Sequence, residues 1–586
     1  MNSDGVRRGA VRIVLGLIQG LGLYFLHHAM QQKIWPATDQ LFFAPAQLVV
    51  AVVPLIALFG LGNLRTRTLL SWTGAAAMLL FVLALHDRLR EVPGLDHSIF
   101  TLAGPSWMLM GFTLLGVFIA HALIAAGDAD RRYIAAYPRY FDTAWKLELQ
   151  ILLTALFAGL FWLLLWLGAG LLDLIDVRFL HRLIEDAGFA YPATGVAVAA
   201  AIHLTDVRPG IISGMRSLIH IVLSWLLPMI VLIVGIFLLS LPVTGLHLLW
   251  RTAHAASLLL AVAAVTTVLV NAVYRDGTAD FAAPRVLRIA ASLGVVELVP
   301  IVGIAALAIG LRVDQHGWTV SRVFAAAAVL VAACYAAGYL LALVRRGPWL
   351  RGIERANVAT SFVILAVFLG LLTPAADPAK IAVASQVALL KSGGIAASAF
   401  DYHYLRWHGE RYGQEALEAL KADPASDGVV RAGVERALAS AGPWEGSIHA
   451  PTGTELAEAI TTYPVGRKMP DDFLRQSWRA ADYPSPPLCL TNATFRCDAF
   501  FLDLDGDGTD EILLVMARGG SGWVFKLDKD GTWRMAGTLA GDFSCDGVMD
   551  DLRTGKYSLP SSQWRDLAVA GHTIRMTGLP GGRGCH

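Results

Sequence analysis

The chain has 586 residues, of which 55% are hydrophobic and 16% carry a charge. A soluble globular protein carries nearer a quarter charged residues, so this composition and the mean hydropathy of +0.55 exclude an ordinary soluble fold for most of the chain. The formal net charge of +1 and the lack of dense Lys/Arg runs exclude a nucleic-acid-binding surface.

Apolar stretches fill the chain up to about Leu372, and a membrane-spanning helix needs roughly 20 such residues. The sequence predicts eleven spans, of which the sixth is short and rich in alanine: Val11–His28, Leu41–Leu61, Leu69–Leu85, Phe100–Ala125, Leu147–Leu172, Tyr191–Leu204, Ser217–Ser240, Ala253–Val273, Ile289–Leu311, Val323–Val344 and Val358–Leu372. If the sixth did not cross, every later loop would change sides. The first is predicted to be a retained anchor, because no signal-peptidase-like site follows it.

The distribution of basic residues between the loops predicts the orientation. With a cytoplasmic N-terminus, the inside loops carry 18 Lys and Arg residues and the outside loops carry eight. Cytoplasmic loops are enriched in Lys and Arg, so the pattern favours eleven crossings. We therefore predict a multi-pass membrane domain over residues 1–375 and an extracytoplasmic domain over residues 376–586.

Polar residues inside the predicted spans are candidate functional groups. Glu297 lies near the middle of the ninth span, and Pro300 disturbs the helix just beyond it. The functional interpretation is a proton or cation site, and the structural one is a carboxyl group that is protonated or hydrogen-bonded between helices. The histidines near or inside spans are interpreted as packed or interfacial: His121, His203 and His220. Gly16-x-x-x-Gly20 is a pattern that lets helices approach closely.

Residues 376–586 read as a soluble α+β domain, because helical signals come first and strand signals follow. The predicted strands are Asp498–Leu502, Glu511–Met516, Gly522–Leu527, Thr532–Leu539 and Leu567–Met576. A predicted short helix over Thr454–Ile460 precedes them.

The loop after the first predicted strand, residues 503–511, has acidic residues at alternate positions. Its candidate metal ligands stand at loop positions 1, 3, 5, 7 and 9: Asp503, Asp505, Asp507, Thr509 through its carbonyl, and Glu511. Alternating carboxylates on a tight loop are the oxygen ligands that Ca²⁺ prefers. Position 12 is Leu514, where an EF-hand has a glutamate, so the sequence does not predict an EF-hand.

This loop resembles the strand–loop–strand calcium loop of FG-GAP and integrin-type repeats, in which the position-9 acid closes the site. The resemblance implies a Ca²⁺ site that includes Glu511. Two alternatives remain open: a polar Asp/Gly turn without metal, and Mg²⁺. One copy of the repeat cannot form a propeller, so only the loop is compared.

Four cysteines fall in the predicted soluble domain, namely Cys489, Cys497, Cys545 and Cys585. In an oxidising compartment they permit two disulfides with three connectivities, and the alternative is four free thiols in a cytosolic domain. Cys489 and Cys497 flank a predicted turn and are the preferred local pair, which leaves Cys545 with Cys585.

Several short motifs resemble a bacterial family of polytopic inner-membrane proteins known as domain of unknown function 4153. They are Asn271-Ala-x-Tyr274-x-Asp276-Gly277, Leu311-Arg312-Val313, Gly317-Trp318-Thr319-x-x-Arg322, Phe400-Asp401-x-x-x-Leu405-Arg406 and Tyr412-Gly413-x-x-Ala416-Leu417. The resemblance implies a multi-pass protein of a bacterial inner membrane, in which the extracytoplasmic domain over residues 376–586 is periplasmic. The family has no assigned reaction, so it supplies no catalytic residue.

The leading hypothesis is a non-enzymatic envelope protein that sits in the lipid bilayer and uses a calcium-binding periplasmic domain to bind or sense an envelope protein or ligand, or to play a structural role. One alternative is a proton- or ion-coupled transporter that uses Glu297. Another is a membrane enzyme that acts on lipid or cell-wall substrates at the outer face. Acids and histidines available there form no recognised catalytic signature: His28, Asp96, His97, Asp173, Asp176, His181, Asp314 and His316.

Overall fold

The computed structural model describes residues 3–92, 104–207, 209–245, 255–277, 283–345, 349–440, 442, 453–476, 478, 487–491, 495–516, 521–540, 543, 547–559, 567–569 and 572–574. The chain divides into two compact units, Met1–Val434 and Glu435–His586. The first is helical, and the second combines short helices with a small mixed sheet. The domain boundary predicted at residue 375 stays a prediction.

Eleven helices in the described part of the chain are long and apolar enough to cross a membrane, which confirms the predicted number. We call them spans 1 to 11: Ser3–Gln32, Gln40–Gly60, Thr66–Arg90, Trp107–Asp130, Tyr137–Asp173, Ala187–Val207, Pro209–Thr244, Ala255–Tyr274, Arg285–His316, Val320–Val344 and Ile353–Leu371. The predicted sixth span, the shortest of the sequence-based set, corresponds to span 6 and is among the eleven. Most of these helices extend several residues beyond their predicted ends.

Both units also contain shorter helices. Those of the first unit, together with one at its end, are Phe179–Glu185, Pro378–Lys391, Tyr402–His408, Glu410–Ala422 and Gly428–Ala439. Those of the second unit are Gly453–Ala459, Asp471–Arg475, Leu488–Thr491 and Val548–Arg553. Asp377 begins the first helix after span 11 as its N-cap, because its side chain accepts hydrogen bonds from the amides of Ala379 and Lys380.

Spans 1 and 6 touch backbone to backbone. A Cβ atom added to Gly195 would lie 2.1 Å from the carbonyl oxygen of Gly16, and one added to Gly16 would lie 2.3 Å from that of Gly195. A Cβ added to Gly20 would lie 2.5 Å from Cα of Pro192. Glycines permit this approach because they have no side chain. The structure therefore confirms the close approach predicted from Gly16-x-x-x-Gly20.

Spans 7 to 11 share one apolar core. Residues from each of these helices contribute to it, among them Leu227, Val270, Val295, Tyr339 and Ile353, all with 1% or less of their surface exposed. Many other apolar side chains of the spans are exposed, for example Met78 and Leu239. Exposed apolar belts are what a bilayer requires of a helix surface.

The helices after span 11 pack on the loop between spans 9 and 10. The Ser385 hydroxyl accepts a hydrogen bond from the amide of Trp318 at 3.0 Å, and the Tyr404 hydroxyl accepts one from the amide of Val320 at 2.9 Å. Gln386 donates to the carbonyl of Trp318 at 2.9 Å. The loop turns at Gly317, whose φ of +68° favours glycine. Both segments therefore lie at the same end of the helices.

The second unit contains a five-stranded sheet in the order β1-β2-β3-β4-β5. The strands are Ile460–Tyr463, Cys497–Leu502, Glu511–Met516, Ser521–Leu527 and Trp533–Ala540, and a separate pair consists of β6 (Leu567–Val569) and β7 (His572–Ile574). β1 runs parallel to β2, and the other neighbours are antiparallel.

Two details of this sheet differ from the sequence prediction. The predicted helix over Thr454–Ile460 ends at Ala459, and Ile460 begins β1, which the sequence analysis missed. Within the last predicted strand, Leu567–Met576, the structure describes two three-residue strands that pair antiparallel, with Val569 opposite His572. β1 has only four residues, too few to show a clear alternation of apolar and polar side chains.

Both faces of the central strands are buried. Along β2, Ala499 and Phe501 join the cluster that contains Phe473 and Trp533, while Phe500 and Leu502 face the opposite cluster. Alternate residues of a strand point to opposite faces, so this sheet packs on both sides. The apolar run Ile512–Val515 of β3 is fully buried for the same reason.

Candidate functional site

The pairing of β2 and β3 forms the acidic loop. Leu502 pairs with Glu511, so the two ends of the loop, Asp503 and Glu511, are brought together. The Asp503 carboxylate accepts hydrogen bonds from the amides of Gly506 at 2.8 Å and Gly508 at 3.0 Å. Both glycines have positive φ, which the tight turn requires.

Three of the predicted ligands converge. Carboxylate oxygens of Asp503, Asp505 and Glu511 all lie within 4.8 Å of one another. Glu511 is buried, and its Oε2 accepts a hydrogen bond from the amide of Leu504 at 2.8 Å, which fixes the carboxylate beneath the loop. Thr509 donates its amide hydrogen to Asp507 Oδ1 at 2.8 Å. All five predicted ligand residues therefore belong to one compact loop.

A lysine from the neighbouring strand enters this loop. Lys526 of β4 donates to Asp505, and its Nζ lies 2.7 Å from Asp507 Oδ2 and 3.5 Å from Glu511 Oε1. Its hydrogen bonds to Asp505 and Asp507 raise the pKa of Lys526, and the bond from Lys526 lowers the pKa of Asp507. A cation is thus stabilised among these oxygens, and the all-oxygen donor set suits a hard ion such as Ca²⁺.

Sequence reasoning missed Lys526 because it lies far from the acidic residues along the chain. β3 and β4 pair with Ile512 opposite Phe525, which places the next residue of β4 near the loop end of β3. The pairing register of β3 and β4 would have predicted that Lys526 lies beside Glu511, because a register determines which residues of two strands are neighbours.

The structure contains a disulfide between Cys489 and Cys497, the local pair preferred from the sequence. Both residues are buried in the cluster that contains Phe473 and Trp478. Cys545 and Cys585 lie outside the described residues. Cys334, in span 10, is a free thiol.

Glu297 lies in span 9 and faces span 7. A Cβ atom added to Gly235 would lie 3.1 Å from Glu297 Oε1, so the glycine of span 7 leaves the room that the carboxyl group occupies. Glu297 Oε2 is buried, and no described group donates a hydrogen bond to it. A carboxyl group in this position can hold a proton or a cation between two helices.

The three span histidines each have a partner. Nδ1 of His121 lies 3.3 Å from Trp72 Nε1, and Nδ1 of His203 lies 3.5 Å from Arg12 Nη1. Nδ1 of His220 lies 2.7 Å from the carbonyl oxygen of Arg216. These contacts agree with packed or interfacial histidines.

Among the outer-loop candidates, the structure brings two together. His181 Nδ1 lies 2.9 Å from Asp173 Oδ2, and Glu185 Oε1 lies 3.1 Å from the other ring nitrogen. The other described candidates are exposed, namely His28, Asp176, Asp314 and His316. Of these, Asp176 donates its backbone amide hydrogen to the carbonyl of Asp173 at 3.0 Å. Asp96 and His97 lie outside the described residues.

A charged cluster that sequence reasoning missed joins the end of span 3 to the helices after span 11. Arg90 lies 3.0 Å from Asp87 and 3.7 Å from Asp377, and the two aspartates are buried. Glu410 faces the same group, and burial raises its pKa although the charge of Arg90 opposes the change. The cluster therefore links the end of span 3 to the segment that follows span 11.

The family motif at Asn271 lies at a junction of four spans. The Asn271 side chain donates to the Tyr339 hydroxyl at 2.6 Å, and that hydroxyl donates to Asn357 Oδ1 at 2.6 Å. Asn357 donates in turn to the Tyr137 hydroxyl at 2.8 Å. These polar groups satisfy one another inside the bundle, where an unpaired group is costly.

Comparison with known proteins identifies the family. The family described as Domain of unknown function (DUF4153) matches residues 35–421, which include ten of the eleven spans and the helices that pack on the loop between spans 9 and 10. No curated protein and no solved structure matches the chain. The match covers well over half of the chain, and the motifs at Asn271 and Gly317 lie within it. This membrane protein of eleven candidate spans therefore belongs to the DUF4153 family.

Proposed function

We propose that this protein presents a calcium-binding domain on the periplasmic side of a bacterial inner membrane, where the domain binds or senses an envelope component or plays a structural role. The observation that carries the proposal is the convergence of Asp503, Asp505 and Glu511. Asp507 and the carbonyl of Thr509 would complete the ligand set. Calcium supplies no reaction here; it neutralises the carboxylates and ties the loop to β3.

Two independent observations support a periplasmic location for the calcium-binding domain. A disulfide joins Cys489 and Cys497, and disulfides persist in oxidising compartments such as the periplasm. The excess of Lys and Arg in alternate loops supports a cytoplasmic N-terminus, and eleven crossings would then lead the chain outside. Labelling of a C-terminal tag in intact spheroplasts tests this orientation, because a cytoplasmic tag would stay unlabelled.

Calcium binding is tested on the purified full-length chain with radioactive calcium at equilibrium. We expect saturable binding that is lost in Asp503→Ala with Asp505→Ala. The matched control is Asp528→Ala with Asp530→Ala, which removes two exposed carboxylates from the nearby turn between β4 and β5. Equal binding by the wild type and the Asp503/Asp505 variant would refute the proposal.

A further pair of variants separates the role of Glu511 in the fold from its role in binding. Glu511→Gln keeps an acceptor for the amide of Leu504 but loses the charge, whereas Glu511→Ala loses both. Leaving a buried donor unpaired costs roughly 1–3 kcal/mol. We expect both variants to lose calcium, and only Glu511→Ala to lower the melting temperature without calcium.

A second candidate function, ion- or proton-coupled transport, is favoured by the buried, unpaired Oε2 of Glu297 beside Gly235. The readout is the pH gradient across proteoliposomes that contain the full chain. A transport role predicts that Glu297→Gln abolishes proton flux while the protein still folds, and Glu148→Gln, in span 5, is the control. An enzyme at the outer face would instead lose activity on changing His181 or Asp173, which lie 2.9 Å apart.

A further inference from the structure

A groove of about 440 Å³ opens where span 9 begins and span 10 ends. Two arginines, Arg285 and Arg288, stand at its mouth, and Trp349 lies beside them. By the predicted orientation this mouth is at the cytoplasmic face. The groove lies within the first unit, and Glu297 is not among its lining residues.

The mouth of the groove is positively charged. Arg285 and Arg288 are exposed, and no described carboxylate lies within ion-pair distance of either guanidinium. Span 9 also begins at Arg285 without a side-chain cap, so the positive end of its helix dipole points to the same place. These features favour a negatively charged group at the mouth.

An aromatic side chain borders this charged mouth. The Trp349 indole donates a hydrogen bond to the Ser292 hydroxyl at 3.2 Å, and the Arg288 guanidinium lies 5.2 Å from a ring centroid of Trp349. Tryptophan is enriched at the level of lipid headgroups, because one edge is polar and the body is apolar. Trp349 therefore marks the depth at which a headgroup would sit.

The wall of the groove below the mouth is apolar and exposed. Ile289, Leu293 and Val296 have 61%, 50% and 49% of their surface exposed and follow one another on one face of span 9. From Arg285 to Val296 the helix rises about 16 Å. This rise is close to half of the roughly 30 Å hydrocarbon core, the thickness of one leaflet.

We propose that this groove binds one anionic phospholipid. Arg285 and Arg288 would contact the charged headgroup, and an acyl chain would lie along Ile289, Leu293 and Val296. A basic mouth and an apolar wall one leaflet deep fit a lipid better than a soluble phosphate compound, which would leave the wall uncovered. Anionic and zwitterionic phospholipids both carry a phosphate, but only the anionic lipid has a net negative charge. We therefore expect the two arginines to bind the anionic lipid more tightly.

The test titrates the detergent-purified full-length chain with phosphatidylglycerol and counts bound lipid by native mass spectrometry. We expect Arg285→Gln with Arg288→Gln to weaken binding about 30-fold, since each basic residue near an anionic lipid surface contributes roughly fivefold. The matched control is Arg7→Gln with Arg67→Gln, which removes two exposed arginines from the same predicted side. It should bind as the wild type does.

Two additional ligands distinguish the possible occupants. Phosphatidylethanolamine with the same acyl chains should bind much more weakly than phosphatidylglycerol, and inorganic phosphate should not displace the lipid. Equal binding of both lipids, unchanged binding by the Arg285/Arg288 variant, or displacement by inorganic phosphate would each overturn the proposal. A change of oligomeric state in that variant with unchanged lipid binding would make the groove a contact between two copies and would also overturn it.

Discussion

Lys526 Nζ lies 2.7 Å from Asp507 Oδ2 and 3.5 Å from Glu511 Oε1, so a lysine of β4 places its ammonium group among the carboxylates of the proposed calcium loop. The lysine neutralises part of the negative charge of the loop when no metal is bound. A metal ion must then displace or share these contacts, because the same oxygens serve both cations. Lys526 is therefore expected to weaken calcium binding.

Replacing this lysine should strengthen calcium binding. In Lys526→Met the competing ammonium is gone while the aliphatic part of the side chain is kept, and we expect the calcium Kd to fall roughly twofold to fivefold. Calorimetric titration of the full-length chain measures it. Lys529→Met, in the exposed turn that follows β4, should leave Kd unchanged. An unchanged Kd for the Lys526 variant would show that the lysine does not compete.

The disulfide between Cys489 and Cys497 should stabilise the second unit, because it closes a short loop and restrains the unfolded chain. We expect Cys489→Ser with Cys497→Ser to lower the free energy of unfolding by about 2–4 kcal/mol. Thermal unfolding with and without reductant measures the effect. Reductant should lower the melting temperature of the wild type by more than that of the double variant, which no longer has this disulfide. Cys334→Ser, which alters the free thiol in span 10, should not change this response.

The contact between spans 1 and 6 should not tolerate a methyl group. In Gly195→Ala the new Cβ would meet the carbonyl oxygen of Gly16 at 2.1 Å, so the helices must separate. Overpacking of this kind costs about 1–3 kcal/mol. Size-exclusion chromatography after heating in detergent reports the loss of folded protein. Gly303→Ala, whose Cβ has no atom within 4 Å, is the control, and equal heat resistance of the two variants would contradict the packing.

The buried charge cluster predicts a pH dependence of stability. Burial raises the pKa of Glu410 above its ordinary value of 4.5, with Arg90, Asp87 and Asp377 facing it. The folded state thus binds the proton more tightly than the unfolded state. The resulting stabilisation is complete below pH 4.5 and is lost as the pH rises through the raised pKa.

Glu410→Gln removes this titration, because its amide stays neutral. We expect the melting temperature of the full chain to fall less from pH 4.5 upward in the variant than in the wild type. Glu415→Gln, an exposed position on the same helix, should follow the wild type. Parallel curves for wild type and Glu410→Gln would show that folding does not raise the pKa of Glu410.

The membrane helices could be predicted from the sequence because hydropathy over about 20 residues is a local property, and this held even for the Ala-rich span 6. The strand pair that carries Asp503 and Glu511 was also visible locally, as apolar runs on either side of an Asp/Gly loop. Lys526 and the contact of Arg90 with Asp377 were not predictable, because each depends on how distant segments meet. Local patterns therefore located the candidate ligands but not the cation beside them.

The contacts of Trp318 and Val320 with the helices after span 11 have a consequence for synthesis. Their partners Ser385 and Tyr404 come 67 and 84 residues later in the chain. A ribosome that has just completed span 10 has therefore made the loop but not the side chains that accept hydrogen bonds from its amides. The amides of the nascent loop therefore lack these partners until span 11 is inserted and the helices that carry Ser385 and Tyr404 pack on the loop. A chain arrested before that point should be cut by protease at this loop, whereas the finished protein should resist.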